Sequence, residues 1–302
     1  MNHARAIGAR PSALPYLAIA FGVFALGCSA LFVRWANAPG PVTGLYRMAI
    51  ASLVLLPLSF RQGVRHPWPR KGVVFAILGG ASLALDIALW TTSIFMTKVA
   101  NATLFANTAP LWVALAGMAF FGERLPALFW GGLAITLTGG AIVAGSDFLV
   151  HPTLGWGDML SLLAGLFYAG YYLCTQAGRR HLDSARYVWL AGAVSAVCLL
   201  VICLAAGFPL TGYPPQTYLA FAAAALITQA AGYLAVGYAL GHLPASIVSP
   251  SMTGQPVVSA LLAIPLLGET LTPIQWVGGA VVITGIYLVN RSHHDRSVDT
   301  AA

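Results

Sequence analysis

The chain has 302 residues, of which 59% are hydrophobic and only 8% charged; a soluble domain carries roughly a quarter charged residues, so an ordinary water-facing surface is excluded. Fifteen Lys and Arg against eight Asp and Glu leave a formal net charge of +7. These basic residues fall in short clusters between apolar runs, which fits membrane topology better than a nucleic-acid partner.

Apolar runs near twenty residues long follow one another along the chain, the length a helix needs to cross about 30 Å of hydrocarbon. The first, about 14–35, follows Arg5 and Arg10 and faintly resembles a signal peptide, with Ala25-Leu26-Gly27-Cys28 like a lipoprotein cleavage box. It continues through Phe32 and Val33, long enough to span, so a retained first helix is expected. Further runs are predicted at about 41–60, 72–96, 100–121, 127–146, 155–177, 185–206, 216–240, 245–267 and 272–290. Turn residues or charges separate them, as in Asn37 to Pro41, Gly122 to Pro126 and Gly268 to Pro273. Ten spans result. Cys28, Cys174, Cys198 and Cys203 all lie inside runs without CxxC spacing, and read as packing residues.

With the N-terminus in the cytoplasm, that side collects twelve of the fifteen basic residues, from Arg5 and Arg10 to Arg291 and Arg296. The asymmetry predicts a multi-pass protein of a bacterial-type inner membrane with both termini cytoplasmic.

The runs also repeat. Pro110 and Pro256 are 146 residues apart, as are Gly122-Glu123 and Gly268-Glu269, Trp130 and Trp276, Gly132 and Gly278, and Thr138-Gly139 and Thr284-Gly285. An ordered series at one offset indicates duplication. The halves are expected at 1–146 and 155–302, the second ending in a short cytoplasmic tail. Five helices is an odd number, so the halves must sit in the membrane with opposite orientation. The expected fold is therefore an all-α integral membrane protein of ten transmembrane helices, as two inverted five-helix repeats around a central cavity.

Leu45-Tyr46-Arg47-Met48-Ala49, Leu89-Trp90, Ala100-Asn101-Ala102-Thr103-Leu104 leading to Pro110-Leu111, and the Pro…Gly-Glu pattern closing each half together resemble the drug/metabolite transporter superfamily, in its EamA-type ten-helix members. The resemblance covers about residues 12–290. It implies a basket-like bundle whose cavity is lined mainly by helices 1, 3, 4, 6, 8 and 9, and mostly efflux of amino acids or related metabolites.

Asp86 lies mid-run, where a charge costs at least about 2.5–3.5 kcal/mol, so it faces protein or a cavity. It is a substrate-amine or proton site, or else one side of a structural ion pair with Arg34 or Arg47. Arg47 in turn is either paired or shaped to hold a substrate carboxylate. Trp90 lies one turn from Asp86, with Ser93 and Thr97 continuing near that face. Gln229 and Tyr233 share the same spacing in helix 8, and Tyr168 and Tyr172 in helix 6, with Thr175 beyond them. Asn101, Asn107 and Gln255 bond either substrate or neighbouring helices. Pro110 and Pro256 are expected to kink helix interiors and allow gating, or simply to be tolerated there. Glu123 and Glu269 are expected to fix turns. Paired glycines such as Gly131-Gly132, Gly139-Gly140 and Gly278-Gly279 suit close helix approach rather than a phosphate loop.

All seven histidines are terminal or in loops, and no HExxH or GxSxG occurs, so an intramembrane enzyme is disfavoured. A secondary transporter exporting amino acids is expected, with a weak preference for aromatic or large apolar ones. The alternative is a multidrug or other metabolite carrier of the same fold. No cofactor or metal is called for. The partners are a small-molecule substrate and the lipid bilayer; the sequence does not set the oligomeric state, and a monomer is consistent with it.

Overall fold

A computed structural model describes residues 13–61, 68–93, 96–97, 102, 105–144, 155–267 and 271–299, and among them only helices and turns occur. Ten rods follow in chain order. They are α1 (Leu14–Ala36), α2 (Gly40–Ser59), α3 (Arg70–Ser93), α4 (Ala109–Phe121), α5 (Ala127–Ala144), α6 (Trp156–Gly178), α7 (Ser184–Ala205), α8 (Pro215–Leu240), α9 (Ala245–Leu266) and α10 (Pro273–Asp299). Seven are long and apolar enough to cross a membrane by length and composition, and α4 and α5 are shorter apolar helices. Large apolar side chains cover the outside, with Leu53 71%, Leu219 70% and Phe120 83% exposed. On a water-soluble protein such a belt would be an aggregation surface; against lipid tails it is the expected solvent face.

Side-chain ties place the helix ends. At one end, Thr217 at the start of α8 donates to the Ala36 carbonyl at the end of α1 (2.7 Å), Tyr46 donates to the Leu210 carbonyl (2.7 Å), and Thr97 beyond α3 donates to Asp158 at the start of α6 (2.6 Å). We call this the Asn37 end. At the other, the Glu123 end, Arg186 donates to the Ser59 carbonyl (3.2 Å) and lies over the Trp68 ring (5.5 Å). Thus α1 runs toward the Asn37 end while α6, its counterpart in the repeat, starts there. The halves are inverted.

Packing repeats under exchange of the halves. α3 lies on α6 as α8 lies on α1, and α3 meets α7 as α8 meets α2, while α2 and α5 each pack on their own counterparts, α7 and α10. Glycine makes the α5–α10 pairing possible. A Cβ on Gly139 would stand 2.5 Å from the Val282 nitrogen and 2.9 Å from the Gly278 carbonyl, and one on Gly285 would collide with Thr136. Gly132 with Gly278, and Gly139 with Gly285, are the same pairs that the 146-residue offset relates, so the duplication supplies both sides of one seam.

Three helices depart from the expectation. Pro110 and Pro256 each stand as the second residue of a helical segment, Ala109–Phe121 and Gln255–Leu267, just after a turn at 107–108 and at 253–254, the latter a break within α9. The physical reason is that a first-turn proline loses no hydrogen bond, its missing N–H being unpartnered there in any case. In α8, Ala224–Gly232 is wound as a π-helix. Between α1 and α2, Asn37 adopts φ +46°, a left-handed conformation that asparagine tolerates and β-branched residues do not. Asn37→Val is expected to cost about 1–2 kcal/mol and lower the unfolding midpoint in detergent by a few degrees, with Asn37→Gly near neutral.

Candidate functional site

A cavity of about 440 Å³ lies between the halves, with Asp86, Trp90, Tyr168, Tyr172, Tyr233 and Gln255 in its wall. Arg47, Asn107, Pro110 and Pro256 also line it. On α2 the lining residues are Gly40 to Arg47 and on α3 Asp86 to Thr91, in the part nearer the Asn37 end, whereas on α6, α8 and α9 the lining runs deeper, to Tyr172, Tyr233 and Ser249. The chamber therefore reaches from near the Asn37 end past the middle of the bundle, deepest along α6, α8 and α9.

At the Glu123 end the halves meet. Gly122, at φ +66°, ends α4 and turns Glu123 toward α9, where Ser246 donates to its Oε2 (2.5 Å). Arg180 of the second half lies over the ring of Phe121 of the first, 5.6 Å from its centroid. Beside them the Ala245 N–H donates to Gln176 Oε1 (2.7 Å), and Arg179 donates to the Gly237 carbonyl (2.7 Å).

The wall's tyrosines form one cluster. Tyr172 donates to the Tyr168 hydroxyl (2.9 Å), their ring centroids are 4.7 Å apart, and Tyr171 bridges toward Tyr233 at 5.5 Å. Asp86 and Trp90 are four apart on an ordinary α-helix and share the wall. On α8 the spacing is five: Thr228 and Tyr233 line the cavity, whereas Gln229 is 2% exposed and lies outside the lining, its Oε1 without a partner. The π winding of Ala224–Gly232 widens the turn and so shifts the side-chain register from that of an ordinary α-helix, and Gln229 lies off the lined face.

The ion pair expected among Arg34, Arg47 and Asp86 does not form. Among the described residues Asp86 lies within 4 Å of no arginine nitrogen; Arg34 is exposed on α1, and Arg47 Nη1 instead donates to Ser29 Oγ (3.0 Å). Ser93 and Thr97 turn away from the cavity: Ser161 donates to Ser93 Oγ (2.6 Å), and Thr97 holds Asp158. Thr175 bonds back to the Tyr171 carbonyl (2.7 Å). Asn101 and Glu269 lie outside the described residues. Sequence reasoning passed over Asp158, whose second oxygen accepts from the Gly155 N–H (2.8 Å); an acidic residue in a first helical turn was the available signal. It also passed over Ser249, buried in the lining without a partner for its hydroxyl.

Two inverted five-helix units around a shared chamber are a recurrent design of polytopic membrane transporters. A model of the EamA-like transporter family matches residues 13–145 and again 155–291, so this chain belongs to that family, within the drug/metabolite transporter superfamily, and is a transporter rather than an enzyme. It is 28% identical to a probable terminal-alkyne amino-acid exporter of Streptantibioticus cattleyicolor over 82% of each chain. It is 26% identical to the uncharacterized inner membrane transporter YedA of Escherichia coli K12, over 80% of this chain and 79% of that one. A riboflavin transporter of Rhizobium johnstonii is 25% identical over 85% and 83%. A solved crystal structure shares the fold at a TM-score of 0.76 and 17% identity, covering 91% of this chain and 96% of that one.

Proposed function

We propose that this chain exports amino acids, with aromatic or large apolar ones favoured, or related small metabolites across the inner membrane by alternating access. In this reading the two five-helix halves move as units, and the Glu123 end, with both termini, faces the cytoplasm. The single observation that carries it is a chamber walled by both halves, beyond which, among the described residues, the halves touch each other at the Glu123 end. Parting those contacts while closing the Asn37 end would present the same residues to the opposite face, without any through-pore. The name of the Streptantibioticus relative supports the amino-acid cargo, and the tyrosine and tryptophan wall supports the preference.

Counterflow into proteoliposomes containing the purified protein tests it. Phenylalanine, tyrosine or leucine trapped inside is expected to accelerate uptake of the same labelled compound at least about tenfold over empty liposomes. Acceleration confined to riboflavin, nucleosides or cationic dyes would replace the amino-acid reading by that of another carrier of the same fold.

A further inference from the structure

A carboxyl group and a guanidinium stand in one cavity without touching each other. Asp86 reaches the wall from α3, and among the described residues no protein donor lies within hydrogen-bonding distance of its carboxylate. Arg47 reaches it from α2; one terminal nitrogen is held by Ser29, and Nε is buried with no acceptor. The two groups feel each other's charge but do not touch. A carboxylate and a guanidinium that were merely structural would close on one another, since unpaired charge at this depth is costly. Left apart, each keeps hydrogen-bonding capacity that a solute entering the chamber can use.

Among small solutes few offer both. A simple anion gains from Arg47 and is repelled by Asp86, and a cationic drug meets the reverse. A zwitterion satisfies each, with an ammonium giving three donors to the carboxylate and a carboxylate suited to the guanidinium fork. Next to Asp86 on the same face stands Trp90, and Tyr168, Tyr172 and Tyr233 complete an apolar flank. Building on the amino-acid reading above, we propose that Asp86 and Arg47 are a two-point clamp for the α-ammonium and α-carboxylate of a single amino acid, whose side chain lies against Trp90 and the tyrosines. Neither residue alone selects the cargo. The gap between them does.

The test compares L-phenylalanine with two analogues that each lack one charge, 3-phenylpropionate (no ammonium) and phenethylamine (no carboxylate), in counterflow with the purified full chain. The unaltered protein is expected to carry phenylalanine about tenfold or more faster than either analogue, the scale of one lost charge-assisted hydrogen bond. Asp86→Asn is expected to slow phenylalanine by about tenfold to a hundredfold while sparing 3-phenylpropionate, and Arg47→Gln to slow it similarly while sparing phenethylamine. Parity of the three compounds in the unaltered protein overturns the clamp, and this comparison stands even if a variant does not fold. So does an equal loss for all three compounds in variants that elute as the parent does in size-exclusion chromatography. If phenylalanine and leucine move but the variants do not discriminate, only the clamp fails; if no amino acid moves while another solute does, the cargo reading fails as well.

Discussion

Gly285→Val is expected to leave little or no monodisperse protein in detergent, whereas Gly131→Val, a few residues from the same seam on α5, is expected to behave like the parent. A Cβ at Gly285 meets the backbone nitrogen and hydroxyl of Thr136 and stands 2.8 Å from the Gly132 carbonyl, whereas one at Gly131 meets nothing within 4 Å. Backbone atoms cannot rotate aside as a side-chain tip can, so α5 and α10 must separate along their whole contact. Overpacking a close-packed core costs about 1–3 kcal/mol, and more where backbone must move. The loss is compounded in lipid, where van der Waals fit between helices takes the place of a hydrophobic driving force. Fluorescence-detected size-exclusion chromatography of the two variants reads the difference directly. Equal profiles would remove the seam from the list of what holds the bundle together.

The second large effect is expected at the Glu123 end. Glu123→Ala deletes the carboxylate that accepts from Ser246, and with it a bond between halves. Glu123 is partly exposed, which places its contribution at about 1–2 kcal/mol, a five- to thirtyfold change in the ratio of sealed to unsealed molecules. Val248, two residues from Ser246 and 0% exposed, is a suitable reporter. In a background with Cys28, Cys174, Cys198 and Cys203 replaced, the alkylation rate of Val248→Cys by a bulky maleimide is expected to rise by about that factor when Glu123→Ala is added. Arg180→Ala, which removes the cation over Phe121, is expected to act in the same direction and more weakly. An unchanged rate in both variants means that the end is held shut by something other than these contacts.

The sequence made the scaffold legible because its signals are coarse and redundant. Twenty-residue apolar runs locate spans whatever their packing, and a 146-residue offset repeated at Pro, Gly-Glu, Trp and Thr-Gly cannot arise from composition alone. The glycines of that series prove to be the α5–α10 seam, a role visible only once both helices are in place. The chamber was legible where winding is regular: Asp86 with Trp90, and Tyr168 with Tyr172, follow the four-residue rule and line it. Gln229 was misplaced because no residue in Ala224–Gly232 announces a π-helix. Ser93 and Thr97 share Asp86's expected face but lie where α3 meets α6, so Ser161 and Asp158 claim them. The prolines were read as kinks because spacing alone could not reveal the turns that precede them.

The π segment of α8 has a consequence for how cargo is held. Two copies of one ancestral unit, facing each other upside down, would present identical walls, and a solute flipped end over end would bind as well either way. Coiling α8 differently from α3 breaks that degeneracy: one wall offers residues four apart, the other residues five apart. The two walls are therefore not interchangeable, and a solute with a distinct head and tail would meet different side chains in its two orientations.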